Sequence, residues 1–432
     1  MYIRKIALNN IRGFESLEFD LARAPEEYAG WTVFTGDNGS GKSTLLKAIA
    51  VALTGKDTAR SLQPSFHRWI REGAVVQEAA IELMIVPEKN VDIFSEKGQT
   101  AYKPFSAKII LKSLGKETGV ELPDAVGNNK KTLAQRGPWA ADTHGWFSCG
   151  YGPFRRVFGA SPEATRLMVG PTTERFVTMF QEAASLYEVD QWLRNLSHKK
   201  LEGKTAESDQ LALLLDILRD DLMPNQITVD RVDSDGLWLK DRNGLKLAWS
   251  EMSDGYRAAL ALLADILRHL ISAYGVEGLA ERDENGKIRI TRGGVVLIDE
   301  IDAHLHPEWQ REIGFWLKRH FPKIQFLVTT HSPLICQAAD ANGLFVLPEP
   351  GSDAKPRALT EAEYNTVIAS RPDTILLTPA FGLQNTRSPR AVEGRAEFSR
   401  LQAKTRGGGK LTPEEEAQMP QLKLFATTNE EA

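Results

Sequence analysis

The chain has 432 residues, 42% apolar and 25% charged, with a formal net charge of −4 and two cysteines, Cys149 and Cys336. That composition supplies a sizeable core and excludes collagen-like, disordered or disulfide-stapled chains. The near-balanced charge also excludes a surface that is basic overall, so a nucleic-acid contact has to come from a local patch or a partner.

The first residues lack the apolar segment of a secretory signal, and no apolar run reaches about 18 residues. The expectation is a protein without a membrane span, located in the cytoplasm. Neither cysteine has the spacing of a metal ligand, which fits a reducing compartment.

In chain order, residues 2–10 and 15–21 read as two short strands around "NIRGF", and "WTVFT" (31–35) reads as an apolar strand. That strand runs straight into "GDNGSGKST" and the helical "LLKAIAVAL". Further strands are predicted over 77–86 and 106–113, a polar loop or insertion over 114–145, and mostly helical patterns over 160–223.

Strand-like "QITVDRV" and "GLWLK" precede a long helix that begins after Gly255. Then "GGVVLIDE", "EWQREIGFWLKRHF" and "QFLVTTHSP" spell strand, helix, strand, a βαβ unit that predicts an α/β core. The polar tail from about 386 has a glycine break at 407–409 and a helix start marked by Thr412, Pro413 and Glu415. Neither an internal repeat nor a sustained heptad pattern is present.

The motif "GDNGSGKS" fills every position of a phosphate-binding loop and stands between a strand and a helix, as that loop requires. Its residues are Gly36, Asp37, Asn38, Gly39, Ser40, Gly41, Lys42 and Ser43, with Thr44 beside them. The glycines let backbone N–H groups turn inward toward phosphate oxygens, and the helix start adds its positive end. Lys42 is expected to reach the terminal phosphates of ATP and Ser43 to hold Mg²⁺.

"VVLIDE" ends an apolar strand in two acids, which is costly unless they bind something. Asp299 fits a carboxylate for Mg²⁺ and Glu300 a base for the attacking water. His331 ends the next apolar strand, and parallel strands deliver their ends to one edge, where ligands bind. His304 and His306 are spaced like metal ligands, but without a third ligand they read as packing or capping residues. "SEMSDGYRAAL" reads first as a helix cap, with Ser253 or Asp254 capping the apolar helix beyond it.

Taken in order, "GDNGSGKST", "MSDGYR", "VVLIDEID" and "TTHSP" resemble the motifs of ABC-class ATPases of the SMC, RecF and OLD group. "MSDGYR" is similar to that class's signature, with Met252 in place of the usual leucine. "LNNIRGFESLEF" looks like the start of that group, in which an arginine, here Arg12, commonly reaches the nucleotide. "CGYGPFRR", "SDGYRAALALLADIL", "IDEIDAHLHPEWQ" and "FPKIQFLVTTHSP" are similar to the defence ATPases of Septu and retron systems.

The resemblance implies an AAA-family, ABC-type P-loop head: a mixed sheet with flanking helices, over residues 1–348, with a helical insertion at 160–225. Residues 349–432 would form a short C-terminal extension suited to a partner. The resemblance further implies that Ser253 and Gly255 of one subunit contact ATP bound on another, giving a homo-oligomer of ATP-sandwich dimers. It implies an HNH nuclease partner, with a retron reverse transcriptase and its RNA–DNA as a further candidate.

The segment between Lys42 and Ser253 is too short for an SMC arm. The segment after His331 is too short for an OLD-type nuclease domain, so the expectation is no nuclease activity in this chain; ATP hydrolysis is expected to be slow because such heads are often switches. No glutamine lid residue is evident, and "GYGPFRR" stands where a nucleotide-sensing loop would lie.

The alternative is a RecF- or SMC-like DNA repair or chromosome ATPase acting directly on DNA. The basic runs "NNKKTLAQR", "SHKKLEGK" and "KTRGGGK" carry no interleaved aromatics, and they read as solvated surface. A transporter subunit fits worst, because the insertion before the signature is too large.

Overall fold

A computed structural model of the chain describes residues 1–95, 98–114, 117–121, 131–141, 143–155, 170–182, 184, 186–220, 223, 226–352 and 354–427. It divides into two compact units, Met1–Ser370 and Arg371–Ala432.

The first unit holds two main sheets. One is antiparallel, in the order Phe14–Asp20, Tyr2–Ile11, Glu78–Val86, Phe105–Leu114, Glu117–Glu121. Its second, third and fourth strands alternate buried and exposed or half-buried residues, as a sheet with one covered face requires. The other sheet runs in the order Arg357–Ala358, Leu344–Val346, Gly30–Thr35, Ile324–Thr329, Gly294–Ile298, Ser148–Tyr151. Every pairing from Leu344–Val346 to Ser148–Tyr151 is parallel, and only the two-residue edge strand is antiparallel.

The helix Lys42–Leu62 shares one core cluster with both sheets: Leu45, Leu46, Ile49 and Leu53 are buried with Ile6, Ile81, Leu297 and Leu327. Burying each such side chain contributes about 1.5–3 kcal/mol. The start of this helix is therefore fixed where the parallel strands end. Gln325 stitches the sheets together, accepting from Ile3 N at 2.7 Å and donating to Ile3 O at 2.8 Å.

The βαβ reading is correct: Gly294–Ile298 and Ile324–Thr329 lie side by side in parallel, joined by the helix Pro307–His320. The described part of the predicted helical insertion contains Pro171–Glu174, Val177–Phe180, Tyr187–Leu201 and Thr205–Leu218. Residues 160–169, 183, 185, 221, 222, 224 and 225 of that span lie outside the described residues. The predicted loop over 114–145 holds the strand Glu117–Glu121 and the short helix Leu133–Arg136.

Residues 357–369 add an edge strand and the helix Glu361–Ala369 to the first unit. Val367 is fully buried there, and Tyr364 Oη donates to Ala339 O at 3.0 Å. The second unit packs Pro389–Arg406 with Pro413–Thr427. Thr412 caps the latter helix as predicted, accepting from Glu415 N at 3.2 Å. Among the described residues, no helix is long and apolar enough to cross a membrane.

Candidate functional site

Sheet order brings three motifs to one edge. The strand ending in the phosphate loop neighbours the one that leads to His331, which neighbours the one that leads to Asp299 and Glu300. The loop spans residues 36–41. Gly41 sits at φ 95°, and a Cβ there would lie 2.5 Å from the Phe14 ring, so only glycine fits.

Lys42 is buried, and its Nζ donates to the carbonyls of Gly36 and Asp37, each at 2.9 Å. Burial lowers its pKa, while Glu300, Asp299, Asp37 and Asp302 act in the opposite direction. Ser40 Oγ is buried and has no hydrogen-bond partner. A buried donor left unpaired in a glycine-rich loop at a helix start is what a phosphate oxygen satisfies, so the loop fits a nucleotide.

Asp299 is almost wholly buried, and it accepts a 2.6 Å bond from Thr329 Oγ1. The same hydroxyl accepts from Glu300 N at 2.7 Å, so one threonine ties both acids to the neighbouring strand. Glu300 takes a left-handed backbone, φ 46°. Thr330 Oγ1 donates to Asp302, and Ser332 Oγ donates to Gln310 at 2.7 Å. One carboxylate and one hydroxyl, Asp299 and Ser43, suit Mg²⁺, which takes few protein ligands and completes its shell with phosphate and water.

Burial, then the Lys42 charge, lower the His331 pKa; Asp302, Glu300 and Asp37 oppose them. The imidazole is thus held neutral at neutral pH, able to donate one hydrogen bond. Arg12 Nη1 donates to Thr44 Oγ1 at 3.3 Å, and its guanidinium lies 4.9 Å from the Trp69 ring centre, so it stands beside the helix start.

The signature region differs from its expected form. Ser253 occupies the N-cap of Asp254–Tyr274, but its side chain makes no capping bond, and Asp254 is turned to Arg257. The capping reading is corrected in that respect: the position is a cap, the hydroxyl is not used as one. Gly255 is required by packing, since a Cβ would lie 2.1 Å from His304 O. Ser253, Gly255, Tyr256, His304, His306 and Trp309 line a cleft of about 280 Å³. His306 caps the helix Pro307–His320 through its ring, accepting from Glu308 N at 3.4 Å, and no metal-ligand group of three exists among the described residues.

Arg155 was not singled out from sequence. It is buried, and its guanidinium donates to the carbonyls of Gly152, Asp299, Glu300, Ile301 and Ala303 at 2.8 to 3.4 Å. It belongs to "GYGPFRR", whose last residue, Arg156, lies outside the described residues. The strand that precedes it, Ser148–Tyr151, pairs with the acid-bearing strand.

The predicted basic runs are partly neutralised: Lys199 pairs with Glu207 at 3.0 Å and Lys404 with Glu415 at 2.7 Å. Residues 128–130 of the first run lie outside the described residues.

A family described as an AAA domain, putative AbiEii toxin, Type IV TA system, matches residues 171–337, and a family described as an AAA domain matches residues 5–132. The Septu protein PtuA of Bacillus mycoides is 25% identical over 342 residues, 77% of this chain and 38% of that protein. The retron Ec83 probable ATPase of Escherichia coli is 40% identical over 107 residues, 25% of this chain and 18% of that protein. The chain thus spans less than half the length of these two relatives.

An SMC head bound to the C-winged helix domain of ScpA aligns with 84% of this chain and 99% of its own, at TM-score 0.48 and 16% identity. The fold class rests instead on the loop, the sheet order and the two family matches. Together these give the chain the sheet order and phosphate loop of a P-loop ATPase head, with sequence similar to AAA domains, to the Septu protein PtuA and to the retron Ec83 probable ATPase.

Proposed function

We propose that the chain binds and slowly hydrolyses ATP as the switch subunit of an anti-phage defence complex. The convergence of Lys42, Asp299, Glu300 and His331 on one sheet edge carries the ATPase reading. The Septu and retron names of its relatives support the defence setting.

Lys42 and the loop amides bind the phosphates, exchanging the carbonyls of Gly36 and Asp37 for phosphate oxygens. Ser43 and Asp299 hold Mg²⁺, which when bound neutralises phosphate charge. Glu300 orients a water and accepts its proton, and neutral His331 hydrogen-bonds near the terminal phosphate. Arg12 adds positive charge at the loop.

Ser253 and Gly255 serve a second copy. The idle, exposed Ser253 hydroxyl at a helix start supports contact with the ATP of another subunit, so ATP closes two heads into a dimer and hydrolysis releases it. This cycle controls an associated HNH-type nuclease, in a retron setting beside a reverse transcriptase, and nuclease chemistry resides in the partner.

The test is co-expression with the neighbouring genes, with mass measured with and without Mg-ATP. In Glu300→Gln an ATP-dependent doubling of mass is expected, and Ser253→Arg should abolish it. A dimer that survives Ser253→Arg would refute the shared site.

One observation favours the RecF- or SMC-like reading: an open groove of about 1100 Å³ bears Arg12, His67, Arg68 and Arg71, with Glu72 among them. Salt-sensitive, ATP-dependent DNA binding by the isolated chain would support that reading.

A further inference from the structure

We infer that Arg155 is the positioning residue for Glu300, a backbone clamp that sets where the carboxylate stands; this rests on the proposed role of Glu300. Residues 299–303 form the turn that leaves the acid-bearing strand, and turns of this kind have several conformations within reach. Here the Glu300 backbone is left-handed, φ 46°. That conformation costs a residue with a side chain about 1–2 kcal/mol, so something must hold it.

Two sets of contacts do so. Thr329 fixes the start of the turn through Glu300 N and Asp299. Arg155 fixes its interior: Nη1 donates to Asp299 O at 2.8 Å, and Nη2 donates to Glu300 O at 3.0 Å, Ile301 O at 3.3 Å and Ala303 O at 3.4 Å. Four carbonyls of one turn thus face one planar group. Fixing the carbonyls on both sides of the Glu300 Cα fixes the direction of its Cα–Cβ bond, and with it the region the carboxylate can reach.

The geometry also explains why arginine is needed. A guanidinium presents its donors in a rigid plane, whereas a lysine ammonium is a compact point that reaches fewer carbonyls at once. Nη1 also donates to Gly152 O at 3.1 Å, so the clamp closes on its own loop as well. That loop is held in turn: a Cβ on Gly152 would lie 2.3 Å from Thr178 O. Burial draws the Arg155 pKa down to about 10, which leaves it charged at neutral pH.

The experiment compares Arg155→Lys, Glu300→Gln and the double variant in the full chain, after matching their circular dichroism and melting curves. ATP-analogue binding and single-turnover hydrolysis are both measured. A displaced base costs up to about 100-fold in rate, so Arg155→Lys should lose about 10- to 100-fold in turnover while nucleotide affinity stays within about threefold. The double variant should be no slower than Glu300→Gln alone, because both changes act through one group.

Wild-type turnover in Arg155→Lys, or losses that multiply in the double variant, would overturn the clamp while leaving the ATPase reading intact. Wild-type turnover in Glu300→Gln would remove Glu300 from its role as base, and the clamp with it, while ATP hydrolysis itself would stand. Should Arg155→Lys fail to fold, the wild-type protein answers directly. Labelled with isotopic arginine and assigned through contacts to residues 299–303, the Arg155 guanidinium should show Nη protons that are separately resolved and slow to exchange. Finding that guanidinium averaged and in fast exchange would sink the proposal.

Discussion

Around the phosphate loop most polar groups already have partners within the chain. Lys42 is held by Gly36 and Asp37, Asp299 by Thr329, Asp302 by Thr330, and Arg155 by five carbonyls. The signature cap is the reverse. Ser253 is exposed and its hydroxyl caps nothing, while Thr132, Ser332, Thr360 and Ser388 each accept a capping bond from their own helix. A satisfied face keeps its geometry before any ligand arrives. A face with an idle hydroxyl at an open helix start is finished only by what docks on it.

The largest expected effect would break the first half of that comparison. Lys42→Met removes the charged donor that moves from loop carbonyls to phosphate. Two charge-assisted bonds at about 1.5–3 kcal/mol each predict a loss of about 100-fold or more in ATP affinity, measured by titration with a fluorescent analogue. Affinity kept within about tenfold would mean that the loop amides alone hold the nucleotide.

Thr329→Val comes next. It keeps the shape but strips the hydroxyl that serves Asp299 and Glu300 N, leaving a part-buried N–H unpaired at up to about 1–3 kcal/mol. A melting temperature lower by a few degrees is expected, and an unchanged one would show that water replaces the hydroxyl.

The cap comparison is then testable within one molecule. Thr360→Ala should cost about 0.5–2 kcal/mol, as a used cap does. Ser253→Ala should leave the melting temperature of the nucleotide-free protein unchanged, yet weaken the ATP-dependent dimer. Equal destabilisation by the two changes would mean that Ser253 caps its helix in solution.

How much the sequence made legible depends on where each function resides. The phosphate loop works through its own contiguous backbone, so "GDNGSGKS" declares it. Asp299 and Glu300 declare themselves because two acids ending an apolar strand are hard to explain otherwise. Arg155 was silent because its partners are carbonyls, which every residue type carries, and Asp299 O lies 144 positions away. Ser253 was read as a working cap because composition shows a hydroxyl but not where it points. Gly255 looked like a ligand glycine, and its closest constraint turned out to be the His304 carbonyl. Ser148–Tyr151 escaped notice because four residues after a polar stretch carry too little periodicity.

The smallest expected effect sharpens the claim that the loop face is electrostatically set in advance. Burial, and then the Lys42 charge, hold His331 below its ordinary pKa of 6.5, against Asp302, Glu300 and Asp37. Between the folded and unfolded values the unfolded chain binds more protons, so stability rises with pH across that window. This contribution is full above about pH 6.5 and is lost as the pH falls toward the folded value.

His320 is shifted in the same direction, so the whole protein's acid sensitivity is not His331's alone. The difference between wild type and His331→Gln isolates it, because His320 is present in both. Melting curves at pH 7.5 and pH 5.5 should show wild type losing more on acidification than the variant. Equal losses would mean that the imidazole is protonated as readily in the fold as out of it. In that case Lys42 would not be acting on the strand end beside it, and the loop face would be assembled only when nucleotide binds.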